Sequence, residues 1–247
     1  MPSDEVARPV GPEAFKTTHW SVVLSTGDNS DSVARRAIEV LCGTYWYPLY
    51  AFVRRQGQSP EDAQDLTQEF FARLLARGAF SRADPERGRF RTYLLTSLKR
   101  FLTEEWRRAN RQKRGGGQIV EPLDPETAAH RYAAEPRTEL SPDLLYDRRW
   151  AEALLERVLA QLRQDYDSTG RAAVYAQLQR FLWGRQGEIS YAEMGQQLGL
   201  NEGAVKVAVH RLRQRFRDLL HGEVAQTVET SAEIEQELRH LLGTFAA

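Results

Sequence analysis

The chain has 247 residues, room for one large or two small domains, and its 34 basic and 34 acidic residues cancel overall. Its single cysteine, Cys42, excludes an internal disulfide and a cysteine-rich zinc site. No run of about 18 apolar residues and no basic-then-apolar leader is present, so the expected setting is a reducing cytoplasm without membrane insertion.

Residues 1–30 read as an N-terminal extension, polar at first and then FKTTHWSVVLS, with Phe15, Trp20, Val22, Val23 and Leu24. Thr17-Thr18 is a candidate cap for a short helix there, and His19 is a lone histidine with no metal-ligand spacing around it. From Asp31 to about Gln56, Val33, Ala37, Val40, Leu41, Tyr45, Leu49, Phe52 and Val53 recur at helical spacing. Pro48 either kinks this segment or opens a second helix, and Gly57 closes it. Ser59 then caps a new helix with Pro60 first and Glu61 and Asp62 in the opening turn, where the helix dipole favours acid. That helix is expected to bury Ala63, Leu66, Phe70, Phe71 and Leu74, and to expose Asp62, Asp65, Gln68, Glu69 and Arg73 before Gly78 ends it.

FSRADPERGR (80–89) reads as a loop. A third helix starts near Phe90, with Tyr93, Leu94, Leu98, Phe101, Leu102 and Trp106 on its apolar stripe. Between Lys99 and Arg114 it carries seven basic residues against two acids, Glu104 and Glu105, with Phe101 and Trp106 interleaved. Cations with aromatics between them suit nucleic acid, since the cations meet phosphates and the rings stack on unpaired bases. The bland alternative is a solvated helix end whose arginines answer its C-terminal dipole.

Gly115-Gly116-Gly117 and four prolines, Pro122, Pro125, Pro136 and Pro142, make 115–143 a flexible linker. Helical periodicity returns from Leu144 through Leu162, and a further helix is expected from about Gly170 to Trp183. Two more follow in ISYAEMGQQLGLNEGAVKVAVHRLRQRFRDLL (189–220). Tyr191, Met194 and Leu198 share a face, Gly199 stops the first helix, and Leu200 is expected to plug the corner. Asn201 is a good N-cap for the second, Val205 and Val209 point inward, and Gly195 permits a close approach. This is the pattern of a helix-turn-helix, whose second helix enters the major groove. The last segment, 223–247, has five acids and no base from Glu223 to Glu237, with Ser231 as expected cap and Ile234, Leu238, Leu241 and Leu242 as its stripe. Two readings stand equal for it: a cover over the basic helix of the second domain, motivated by opposite charge, and a terminal helix that completes the core.

No strand-like alternation or repeat is evident, so the fold class is all-α: two helical domains, 31–114 and 144–222, the second containing the helix-turn-helix. Taken in order, these motifs resemble the bacterial RNA polymerase sigma factors of the extracytoplasmic-function type. SPEDAQDLTQEFFARLL (59–75) is similar to that family's polymerase-binding helix, 88–114 to its promoter-melting helix, and 189–220 to its −35 reader. The terminal extensions resemble those of a subgroup with short additions at both ends.

The resemblance implies a subunit that docks on core RNA polymerase, at its β′ clamp helices and β flap, and directs initiation at −10 and −35 promoter elements. It places Asp62, Asp65, Leu66, Gln68 and Glu69 on the polymerase, and Arg89, Phe90 and Arg91, with loop 81–89, on flipped −10 bases. It puts Lys99, Arg100, Arg107 and Arg108 on nearby DNA. Glu202, Gly203, Lys206, His210 and Arg211 fall where the −35 element is read, and Arg213 and Arg215 where phosphates are met. An anti-sigma protein is a further partner that the family implies, and no cofactor is implied. The chain departs from the family at Tyr93, usually Trp; at Arg100, usually Asn; and at Ala204-Val205-Lys206-Val207-Ala208, where Thr-Val-Lys-Ser-Arg is common.

Two other readings fit the residues less well. A stand-alone helix-turn-helix regulator leaves 59–114 without a purpose. An enzyme would need Glu61, Asp62, Asp65 and Glu69 as a metal cluster, yet no histidine or second carboxylate set joins them.

Overall fold

A computed structural model describes residues 31–76, 89–111, 132, 140–183, 189–228 and 230–246. The N-terminal extension with His19, most of the loop before Phe90 and most of the linker lie outside these residues. Every regular element among the described residues is a helix: α1 Asp31–Arg55, α2 Pro60–Ala76, α3 Phe90–Arg111, α4 Pro142–Ser168, α5 Ala172–Leu178, α6 Tyr191–Leu198, α7 Glu202–Ala225 and α8 Ser231–Ala246, with a 3₁₀ turn at Gln179–Phe181. None is long and apolar enough to cross a membrane. Contacts divide the chain into one unit of residues 1–150 with 225–247, and a second of 151–224. The helix α8 therefore belongs with the first unit.

In the first unit, α1 is one continuous helix with Pro48 inside it. The proline removes one backbone donor, but the packing on either side holds the helix together. Tyr45, Leu49, Phe52 and Val53 are buried as the periodicity requires, and Gly57 leaves the helix with φ +89°, a conformation that favours glycine. Ser59 caps α2: its Oγ accepts from the Asp62 amide at 3.1 Å and donates to the Asp62 carboxylate at 2.8 Å. The buried Thr67 hydroxyl donates to the Ala63 carbonyl at 2.7 Å, which satisfies it within α2. Ring contacts tie the helices together, Tyr45 edge-on to Phe90 at 5.4 Å and Phe70 against Phe101 at 5.7 Å. Leu66 is only half-buried, and Trp106 is 69% exposed, outside the stripe to which periodicity assigned it.

The stretch read as linker already contains the start of α4. Ser141 accepts from the Leu144 amide at 3.3 Å and Pro142 takes the first helical position, the same Ser-Pro entry that opens α2. In the second unit, Leu154, Val158 and Leu162 of α4 are buried, as are Tyr175, Leu178, Phe181, Met194, Val205, Val209 and Leu212. The helix expected from Gly170 to Trp183 is shorter: Gly170 is a turn residue at φ +69°, and α5 tightens into 3₁₀ after Leu178.

The join between α6 and α7 is a three-residue turn. Ser190 and Glu193 form a reciprocal capping box at the start of α6, and Gly199 ends it at φ +65°. Asn201 Oδ1 accepts from the Ala204 amide at 2.7 Å and so caps α7. A Cβ on Gly195 would lie 2.5 Å from the Leu200 carbonyl oxygen, so the turn backbone is what demands a glycine there. Leu200 does not plug the corner. Its side chain is 43% exposed, because its backbone, not its side chain, is what faces Gly195.

The C-terminal helix also differs from expectation. Thr230, one residue before Ser231, provides the cap, with its amide and hydroxyl both donating to Glu233 at 3.0 Å. Ile234 and Leu241 are buried, but Leu242 is exposed, since Glu237 takes the central place on the buried face.

Candidate nucleic-acid and polymerase interface

The acidic face of α2 is built as its spacing predicts. Asp62, Asp65 and Glu69 are exposed along one side, and Gln68 is half-buried beside them. Glu69 pairs with Arg73, which also reaches Glu105 of α3 at 2.6 Å and lies over the Phe101 ring at 4.8 Å. Leu66 and Trp106 line a groove of about 690 Å³, together with Phe52, Lys99 and Leu102.

The residues singled out on α3 fall into two groups. Arg100, Arg107 and Arg108 are exposed, Arg108 with a 3.3 Å contact to Glu105, and Trp106 stands among them. Lys99 is exposed too and pairs with Asp143 at 2.7 Å. This stretch presents cations and one open aromatic ring to solvent, the composition that grips a single strand. The start of the helix is different. Phe90 is fully buried against Tyr45 and Tyr93. Arg91 is nearly buried, bonded to Glu237 and Asp147, with its guanidinium 5.2 Å over the Trp150 ring. Arg89 pairs with Glu237 at 2.9 Å. In this arrangement neither Phe90 nor Arg91 is open to a base. Burial works against the charge on Arg91, but its bonds to Glu237 and the charge of Asp147 hold its pKa above the ordinary arginine range.

Sequence reasoning missed Asp147 and Glu237 as partners of this arginine pair, and His240 as a partner of Asp147. The available signal was a charge on each apolar stripe: Arg91 in line with Leu94, Leu98 and Phe101, and Glu237 between Ile234 and Leu241.

On α7 the expected base readers are at the surface. Glu202, Gly203, Lys206, His210 and Arg211 are all exposed around its first three turns. Lys206 bonds Glu202 at 2.6 Å, and that hydrogen bond and charge raise the lysine pKa. His210 and Arg211 have no ion-pair partner among the described residues. The two expected phosphate arginines are engaged within the unit. Arg213 donates from Nε and Nη2 to the Phe181 carbonyl at 2.9 and 2.6 Å, closing the 3₁₀ turn that ends α5. Arg215 pairs with Asp165 at 2.6 Å. Arg213 thus holds the second unit together, whereas Arg215 keeps an exposed side chain.

Comparison with known proteins agrees with the division seen in the helices. The sigma-70 region 2 family matches residues 45–112, which span the second half of α1, α2 and α3. ECF RNA polymerase sigma factor SigE of Mycolicibacterium smegmatis is 26% identical over 230 residues, 93% of this chain and 74% of that protein. No solved structure gives a significant match. The chain is thus similar to a sigma-70 region 2 domain over residues 45–112 and to an extracytoplasmic-function sigma factor along nearly its whole length, and these likenesses support a part in promoter recognition and transcription initiation.

Proposed function

We propose that α2 is the polymerase-docking element, the α3 surface the −10 grip and α7 the −35 reader. On α2, Asp62, Asp65, Leu66, Gln68 and Glu69 form an acidic rim around an apolar seat, suited to the β′ clamp helices. On α3, Arg100, Arg107 and Arg108 meet the strand's phosphates while Trp106 stacks on an unpaired base. Melting costs pairing and stacking energy, which bound, extruded bases offset. On α7, Lys206, His210 and Arg211 read base edges, Glu202 and Gly203 sit at the groove entry, and Arg215 fixes register on phosphate. The second unit also seats on the β flap. The protein acts as a non-enzymatic cytoplasmic subunit, and an anti-sigma protein is a candidate regulator.

The observation that carries this reading is the coincidence of the sigma-70 region 2 match at 45–112 with the exposed arginine-tryptophan surface of α3. The test is run-off transcription by purified core polymerase with and without the chain on a promoter library. Promoter-dependent transcripts are expected only with the chain. Binding to duplex operators without any association with core polymerase would instead identify a stand-alone regulator.

A further inference from the structure

The open face of α7 carries two residues that packing among the described residues does not explain. The helix turns Val205, Val209 and Leu212 inward, so Gly203, Val207, His210 and Arg211 fall on the opposite side. In the middle of that side Val207 stands 51% exposed, one turn after Gly203 and one turn before His210 and Arg211. A valine there works against the helix, because its branched side chain loses rotamer freedom on a helix surface. Gly203 is equally unforced. A Cβ on it would meet only Asn201 Oδ1, at 3.4 Å, and its backbone is not in the left-handed region that Gly57, Gly170 and Gly199 adopt. The centre of the face is therefore a smooth apolar strip. Lys206, bonded to Glu202 at 2.6 Å, flanks it. Local rules broken without benefit to the fold point to function.

We infer that Val207 is a specificity-determining residue of the −35 contact: its methyl groups pack on the C5-methyl of one thymine, and Gly203 leaves the helix room to approach the base edges. This rests on the reading of α7 as the −35 reader. Chemistry selects the ligand. The base edges of the major groove present hydrogen-bond donors and acceptors, and the thymine methyl is the apolar group among them. An isopropyl group set against a donor or acceptor would strip its water and return no hydrogen bond. Set against the thymine methyl, it removes apolar surface from water on both sides. Lys206, His210 and Arg211 then address the polar edges of neighbouring positions, and Val207 fixes one A·T pair among them.

The test uses holoenzyme assembled from core polymerase and the full chain. A −35 element is first selected from randomised duplexes, and one position should be enriched in thymine. Deoxyuridine, which lacks only the methyl, then replaces each selected thymine in turn, and binding is measured by competition. At one position it should weaken the native holoenzyme about 4-fold, the equivalent of one buried methyl. Holoenzyme carrying Val207→Ala should no longer distinguish uracil from thymine there. Should circular dichroism show that Val207→Ala does not fold, Val207→Ser replaces it; the uracil scan itself needs no variant. A selected element without thymine, a scan silent at every position, or a uracil penalty that the Val207 variant leaves intact would overturn the inference. If His210→Ala and Arg211→Ala still alter −35 preference in that case, the methyl contact alone falls. If neither they nor scrambling of the −35 element changes binding, α7 is not the reader, and both readings fall.

Discussion

At the scale of single residues, the chain places a few groups where nothing else serves. Gly195 is one, since any Cβ there meets the Leu200 carbonyl oxygen at 2.5 Å. Gly195→Ala is expected to lower stability by about 1–3 kcal/mol, the range for forced overpacking, read as an earlier urea midpoint. Arg91 is another. Arg91→Ala would leave the buried Glu237 carboxylate with Arg89 alone and take the guanidinium from Asp147, at an expected cost of about 3–5 kcal/mol in the same measurement. Cys42 is the third: burial pushes its thiol up to about 11, so little thiolate exists near neutrality. Iodoacetamide should label it slowly in the folded chain at pH 7.5 and rapidly in denaturant.

At the scale of elements, the helix starts carry much of the local specification. The sequence shows Ser-Pro at the head of both α2 and α4, and in both the serine oxygen accepts a first-turn amide. The capping box on α6 adds a pH dependence. Bonds from the Ser190 amide and hydroxyl lower the Glu193 pKa, so the box contributes above the ordinary carboxylate range. That contribution is lost as pH falls through the depressed folded value. Ser190→Ala should cost about 1 kcal/mol near neutrality, with the difference from the native chain shrinking in acid, as thermal melts at several pH values would show. On α7, His210→Ala or Arg211→Ala should relax −35 preference by about 1–3 kcal/mol at one position, measured by competition between promoter variants. Arg213→Ala should instead lower stability, because its fork closes the turn at Phe181.

At the scale of the whole molecule, periodicity and end signals were enough to read the all-helical fold, the positions of α1, α2, α3, α6 and α7, and the acidic and basic surfaces. Helices declare themselves through neighbours three and four residues apart, so Tyr45, Leu49 and Phe52, or Val205 and Val209, are legible without any partner. What periodicity could not show is which cations remain free. Arg213 and Arg215 look alike along the chain, yet one satisfies a backbone carbonyl and the other a surface carboxylate. The acidic tail shows the same limit. Composition left open whether it covers the basic helix of the second domain or completes a core; contacts place it with the first unit, where Glu237 meets Arg89 and Arg91. Net charge acts at long range and is screened by salt; a single buried carboxylate facing two arginines is a short-range match that only the packed structure can make. The sequence by itself therefore determined the helices, their caps and the class of surface each presents. The tertiary structure alone decided which of those charges are closed against one another, because pairs 146 residues apart, such as Arg91 and Glu237, leave no mark in local spacing.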